Sequence, residues 1–210
     1  MHRLLALIFV IGVCQHLLPT TNTQFRVFVS YLGALVGFGL IRAITTLHQN
    51  IKWGEQSTRA ILNDRHGVTH VRLHMPRPMK IDAGQYILLW VPRVSVSAPT
   101  QVHPFVVVSW AEVEQNSIEI IVRPRRGFSE KLSRHCQRYG GRNIQRRALL
   151  SGPHGTSIPV WDYRAVLLIA SGSGVAAVLP YLTKLIHGYY FGKGCTRRVH
   201  LIWQIQDIGR

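Results

Sequence analysis

The chain has 210 residues, 47% of them hydrophobic, which allows a packed core and one or two domains. Lys and Arg number 25 against nine Asp and Glu, and a net charge of +16 suits a nucleic-acid binder, a membrane-surface protein or a host for phosphate-rich ligands. Cys14, Cys136 and Cys195 form no C-x-x-C pair, which excludes a zinc ribbon and a disulfide framework, and the scattered basic residues lack the interleaved aromatics of a nucleic-acid binder.

In chain order, Leu4 to Leu18 is apolar except for Gln15 and His16, and a second apolar run extends from Phe25 to Ile44. The uncharged link Pro19 to Gln24 lies between them. Each run approaches the roughly 20 residues that cross a bilayer. The expectation is a membrane hairpin with spans near residues 4–20 and 25–44; a signal peptide after Arg3 is the alternative for the first run. Arg3 precedes the first span and Arg42, Lys52, Arg59 and Arg65 follow the second, so both ends should face the cytoplasm. His2 and His16 are fourteen residues apart, nearly on one helix face and roughly 21 Å apart along the axis. That spacing suits two stacked haems, each needing a second histidine from another helix. A terminal and an interfacial histidine is the plainer alternative.

From Ile51 onward the pattern is β-rich. Val68 to Leu73 reads as a strand broken by Met75-Pro-Arg-Pro78, and Ala83-Gly84 turns into a strand over Gln85 to Val91. After a Ser/Pro/Thr loop come His103-Pro-Phe-Val-Val-Val-Ser-Trp110 and a strand over Ile118 to Val122. The next stretch, Arg123 to Leu132, carries Arg123, Arg125 and Arg126 before a helix, with Gly127 as a permissive turn and Ser129 as its cap. The local field there favours a pyrophosphate, although a basic turn is often only a solvated face.

Ala165 to Ala170 is a continuous apolar run, as in a parallel strand covered on both faces. Gly172, Gly174 and Ala177 follow in a G-x-G-x-x-A pattern, which lets a dinucleotide pyrophosphate approach a helix start. An ordinary strand-to-helix turn also needs small residues. A second strand is expected at Val199 to Trp203. Arg197 and Arg198 before it suit a 2′-phosphate or are plain loop charges.

These motifs, in this order, resemble the transmembrane ferric reductases of fungi, relatives of the NADPH oxidases within the ferredoxin-reductase superfamily. His103-Pro-Phe-Val106 is similar to the H-P-F-[ST] flavin signature, and Ala83-Gly-Gln85 to the G-Q strand entry. Arg123 to Leu132 is similar to the segment that holds the flavin diphosphate. Ser151-Gly-Pro-His-Gly155 resembles the G-P-Y-G turn between flavin and nicotinamide domains, and Gly172-Ser-Gly-Val175 the G-x-G-[IV] loop. His2 and His16 fall where the family carries a haem-ligating pair.

The resemblance implies a membrane α-helical hairpin (1–46), an antiparallel β-barrel FAD domain (50–158) and a partial α/β Rossmann-like nicotinamide domain (159–210). FAD would contact His103, Pro104, Phe105, Val106, Arg123, Gly127, Phe128 and Ser129. NADPH would contact Gly172, Ser173, Gly174 and Val175, and haem b iron His2 and His16. It also implies electron flow from NADPH through FAD and haem to ferric chelates. The setting would be the plasma membrane bilayer, with the flavin domain cytoplasmic, no nucleic-acid partner and no acid–base catalyst. Val106 departs from the signature by lacking a hydroxyl, for which Ser109 is a candidate substitute, and His154 replaces a tyrosine. The chain starts within a late membrane helix of the family and stops after the second nicotinamide-domain strand, so a fragment or truncated product is expected. A membrane-anchored flavin-binding remnant without turnover is the alternative function.

Overall fold

The computed structural model describes residues 22–54, 57–92, 94 and 103–205, with position 12 alone before them. The first expected span, with His2 and His16, therefore lies outside the described residues apart from position 12. Contacts divide the chain into two units, 1–45 and 46–210.

Helix α1 (Asn22–Asn50) contains the apolar stretch Phe25–Asn50, of mean hydropathy 1.9. Its 26 residues span about 39 Å, enough for a hydrocarbon layer of about 30 Å. Phe25, Tyr31, Leu35, Phe38, Ile41 and Ile44 are all exposed. Ser30 and Thr45 donate their hydroxyls to the backbone carbonyls of Arg26 and Arg42, which hides two polar groups along the helix. The helix runs six residues beyond the expected end at Ile44.

That extra turn belongs to the second unit and is held by polar contacts. Asn50 is buried; its Nδ2 donates to the carbonyls of Thr46 (2.7 Å) and Leu150 (2.6 Å). Its Oδ1 accepts the Leu150 N–H at 2.9 Å. The amide thus stands in for a neighbouring strand. Gln49 donates to the carbonyl of Gly152, and Arg77 donates to the carbonyl of His48.

Seven strands follow: β1 (Arg59–Arg65), β2 (Val68–Met79), β3 (Tyr86–Trp90), β4 (His103–Val106), β5 (Gln115–Val122), β6 (Ile144–Arg147) and β7 (Leu149–His154). They form two antiparallel sheets, ordered β5-β2-β1-β6 and β4-β3-β7. Alternating side chains such as Leu62, Leu73, Ile87, Leu89, Ile118 and Leu150 fill one core. At one corner the Val107 N–H donates to the Gln85 carbonyl, and the next N–H, of Val108, to that of Glu119. The β-barrel of the expectation is therefore seen as two sheets meeting at a corner. Helix α2 (Phe128–Arg138) buries Phe128, Leu132 and Cys136 in the same core.

Two strand expectations are corrected. Met75-Pro-Arg-Pro78 does not end β2, which continues to Met79. Pairing with β1 stops at His74, and the register with β5 shifts between His74 and Met79. The prolines thus occupy a segment whose missing N–H groups no ladder needs. Strand β1 is additional; it joins β2 through a tight turn at His66 (φ 49°) and Gly67 (φ 74°).

The remaining lobe is a βαβ unit. Strand β8 (Ala165–Ser171), a 3₁₀ turn at Gly172–Gly174, helix α3 (Val175–Tyr190) and β9 (Arg198–Gln204) follow in order, with β8 and β9 parallel. The expectation that the first strand is covered on both faces is corrected. Leu168 and Ala170 are buried, whereas Leu167 is 56% and Ile169 66% exposed. Helix α3 shields one face.

The buried amide yields a first prediction. Asn50→Ala leaves the Leu150 N–H and carbonyl unpaired in the core, at about 1–3 kcal/mol each. Thermal and urea unfolding of the purified chain should show a marked loss of stability; an unchanged midpoint would show that water replaces the amide.

Candidate functional site

Strand β4 is an edge strand, pairing only with β3 among the described strands. Its register sets His103 opposite Leu89 and Val106 opposite Tyr86. The His103 ring stacks on Phe128 with centroids 4.3 Å apart and planes 11° off parallel. Phe105 lies 6.2 Å from the same ring. The first residue of α2 is therefore clamped to the strand carrying the H-P-F sequence. Residues separated by more than twenty positions meet here, and the meeting unites His103, Phe105 and Phe128.

His103 Nε2 is buried without a hydrogen-bond partner. Loss of hydration pushes the imidazole below its ordinary pKa, so the ring is held neutral. Ser109, the candidate substitute for the missing hydroxyl at Val106, accepts the Glu119 N–H at its Oγ (3.0 Å).

The segment from Arg123 to Ser129 wraps the start of α2. Gly127 (φ 95°) is the residue before the helix, and the first helical bond runs from the Lys131 N–H to the Gly127 carbonyl. Ser129 is not the cap. It sits inside the first turn, where its Oγ accepts the Arg125 N–H at 2.9 Å and donates to the Arg125 carbonyl at 3.1 Å. The hydroxyl fixes the loop, and no side chain occupies the helix N–H groups. Arg123, Arg125 and Arg126 are exposed, and among the described residues none pairs with a carboxylate. Glu130 in the same turn is neutralised by Arg134 at 2.5 Å. Free arginines around an open helix start suit a diphosphate.

In the second lobe, Gly172 takes φ 51°, a conformation that glycine adopts without strain. Ser173 and Gly174 complete the turn, and Val175 opens α3 without a side-chain cap. The Trp203 indole N–H donates to the Gly172 carbonyl at 3.0 Å, tying the end of β9 to this loop. Arg197 and Arg198 are exposed, and their N–H groups both donate to the Arg164 carbonyl. Among the described residues no group of three or more His, Cys, Asp or Glu side chains gathers to hold a metal. His2 and His16 lie outside them.

One pair escaped the sequence reading: Asp82 and Lys184, joined by an ion pair at 2.6 Å. The available signal was a lysine within the apolar helix sequence Val175 to Ile186.

Residues 58–158 match the family model of an FAD-binding domain. The chain is 33% identical over 113 residues to the ferric/cupric reductase transmembrane component 2 of Saccharomyces cerevisiae, covering 52% of this chain and 15% of that protein. It is 28% identical over 118 residues to the ferric reductase transmembrane component 3 of the same yeast, covering 55% and 16%. These alignments therefore span about a sixth of the relatives' length. A ferredoxin reductase from a carbazole 1,9a-dioxygenase superposes with a TM-score of 0.53 at 19% identity, over 71% of this chain and 42% of that one. The fold is thus of the ferredoxin-reductase type. Over about half its length the chain is similar in sequence to ferric reductase transmembrane components.

The neutral His103 gives a second prediction. Its lowered pKa means that the folded state resists protonation. Its contribution to stability is complete above the unfolded pKa of about 6.5 and is lost as pH falls toward the lowered folded value. His103→Phe keeps a stacking ring and removes this titration, so the fall of Tm below about pH 6.5 should become shallower. Equal slopes in both proteins would show that the ring is not held neutral. His135, lowered by burial and by Arg146 and Arg138, contributes equally to both.

Proposed function

We propose that this chain carries the flavin in a ferric-reductase-like membrane oxidoreductase that takes electrons from NADPH and delivers them toward ferric chelates. The observation that carries this reading is the junction of edge strand β4 with the start of α2, beside three arginines that have no carboxylate partner among the described residues. The donor set fits FAD. The free edge of β4, His103 to Val106, would face the isoalloxazine with backbone groups, because Val106 offers no hydroxyl. Arg123 and the N–H groups of Gly127 to Ser129 would hold the diphosphate, with Phe128 fixed beneath His103.

Gly172, Ser173, Gly174 and the start of α3 at Val175 would hold the NADPH pyrophosphate, with Arg197 and Arg198 near the second strand as candidates for its 2′-phosphate. Bound flavin supplies the conversion between a two-electron donor and one-electron acceptors. The protein's part is to orient the two nucleotides and to keep the stacked His103–Phe128 surface dry. Helix α1 would anchor the chain in the plasma membrane, with residues 58–158 on the cytoplasmic side. His2 and His16 carry no step of this proposal.

Two measurements test it. Arg123→Ala removes a charge-assisted phosphate bond of about 1.5–3 kcal/mol, so FAD should bind roughly ten- to a hundredfold more weakly, while Arg59→Ala should change little. Fluorescence titration of the detergent-solubilised full chain reads both; equal affinity in folded wild type and Arg123→Ala would remove the phosphate assignment. Anaerobic NADPH should then bleach the bound flavin, whereas FAD binding without bleaching would favour a flavin-binding anchor. For orientation, a tag at the carboxyl end should resist protease in sealed cells and be cut after lysis. Cleavage in sealed cells would reverse the topology.

A further inference from the structure

We infer that the Asp82–Lys184 pair is a latch that fixes the angle between the two-sheet lobe and the βαβ lobe, and that this angle sets a nicotinamide donor against the flavin. The second half rests on the function proposed above.

Lys184 lies in the middle of α3 and is 7% exposed. Its Nζ donates to both oxygens of Asp82, at 2.6 and 2.7 Å, and stands 5.1 Å from the centre of the Trp161 ring. Asp82 belongs to the other lobe, in the turn that leads into β3. Its Oδ1 also accepts the Ala83 N–H at 2.8 Å and the Trp110 indole N–H at 3.0 Å. Burial raises the carboxyl pKa, but the bonds from Lys184, Ala83 and Trp110 outweigh it, and the group is held ionised below its usual range.

The surrounding contacts are shaped for this pair. Tyr181, one turn before Lys184 on α3, presses its hydroxyl into the same 82–85 turn. A Cβ on Gly84 would run into that oxygen, so a side chain there would collide with it. The Tyr181 oxygen also accepts the Ile158 N–H at 3.2 Å. The Trp161 indole donates to the Lys184 carbonyl at 3.0 Å, and its ring meets Trp110 edge-on at 6.2 Å. Further along α3, His187 stands 3.7 Å from Glu112, which also pairs with Lys193.

The position of the latch gives it a reach beyond packing. Asp82 is four residues before Tyr86, whose strand partner is Val106 on the flavin-facing edge. Lys184 is ten residues along one helix from Gly174, or about 15 Å of rigid backbone. Each half of the pair is thus tied through regular structure to one nucleotide loop. A shift of the ammonium against the carboxylate changes the distance between those loops without touching either. Lys184 is therefore a positioning residue.

The test uses the full chain in detergent with Cys14→Ser, spin-labelled at exposed Cys195 and at His70→Cys on β2. Pulsed electron resonance should give one narrow distance distribution in this background and in Lys184→Arg. Lys184→Met should give a broadened or two-peaked distribution; a distribution unchanged in Lys184→Met overturns the latch. Asp82→Asn provides the same comparison should Lys184→Met fail to fold, and an unchanged distribution there has the same force. In a second arm, anaerobic flavin reduction by NADPH should have a limiting rate at least tenfold lower in the latch variant, with FAD affinity and NADPH half-saturation within twofold. An unchanged limiting rate overturns the positioning role. If the wild type binds FAD but NADPH does not reduce it, the proposed function fails, and the distance arm still decides the latch.

Discussion

A lysine ammonium removed from water is tolerable only while its carboxylate stays beside it, and that requirement organises the second unit of this protein. Removing one partner of a fully buried pair typically costs about 3–5 kcal/mol, and the Asp82 side chain, 37% exposed, brings this pair below that range, whereas replacing both partners with apolar groups is often neutral. The pair between Asp82 and Lys184 is therefore better understood as choosing one arrangement of the lobes than as adding net stability. The neighbouring residues limit the choice further, because Gly84 leaves room for the Tyr181 hydroxyl and Trp110 supplies a third donor to the carboxylate. An apolar α3 face against an apolar turn could slide. An ammonium with two carboxylate oxygens at 2.6 and 2.7 Å has far less freedom.

The same electrostatics explain where the excess positive charge matters. Most acidic groups with partners are committed to structural pairs: Glu119 to Arg72, Glu130 to Arg134, Asp82 to Lys184, and Glu112 to Lys193. Among the described residues, Arg123, Arg125 and Arg126 have no carboxylate partner, and they stand at a helix start without a side-chain cap. A net charge of +16 by itself bears on solubility and non-specific attraction to anions, not on a particular site. At this loop the charge is locally uncompensated, because the nearest carboxylate of the same turn, Glu130, is paired with Arg134.

The sequence revealed features encoded over a few neighbouring residues and hid those made by distant contacts. The turns at Gly127 and Gly172–Gly174 were legible because a tight turn into a helix needs permissive backbone at a fixed offset from it. The H-P-F strand was legible only through its resemblance to a flavin signature. Strand β1 was not, since Arg59 to Arg65 carries only Ala60 and Leu62 to the core and its turn uses a histidine at φ 49°. The prolines of β2 were read as a break because their tolerance depends on where its partners end pairing. Ser129 had the chemistry of a cap, but the helix began two residues earlier, with Gly127 before its first residue, and the hydroxyl was aimed at Arg125. The Asp82–Lys184 contact spans 102 positions, and no local pattern could have announced it.

Edge strand β4 shows how one position can serve structure and binding together. An edge normally invites another strand, and proline is one of the residues that blunts it. Pro104 is exposed in the centre of β4, where its missing N–H interrupts any continuous ladder from a second chain. His103 and Phe105 flank it and turn toward Phe128, so the apolar side of the strand is already occupied by the start of α2. What remains is a short edge with few hydrogen-bonding groups, bounded by stacked rings and by Val106. A planar ligand with acceptors and donors on one rim can use such an edge where a polypeptide strand cannot. In the flavin reading proposed above, the absence of a hydroxyl at Val106 would shift recognition from side chain to backbone without opening the edge to competing strands.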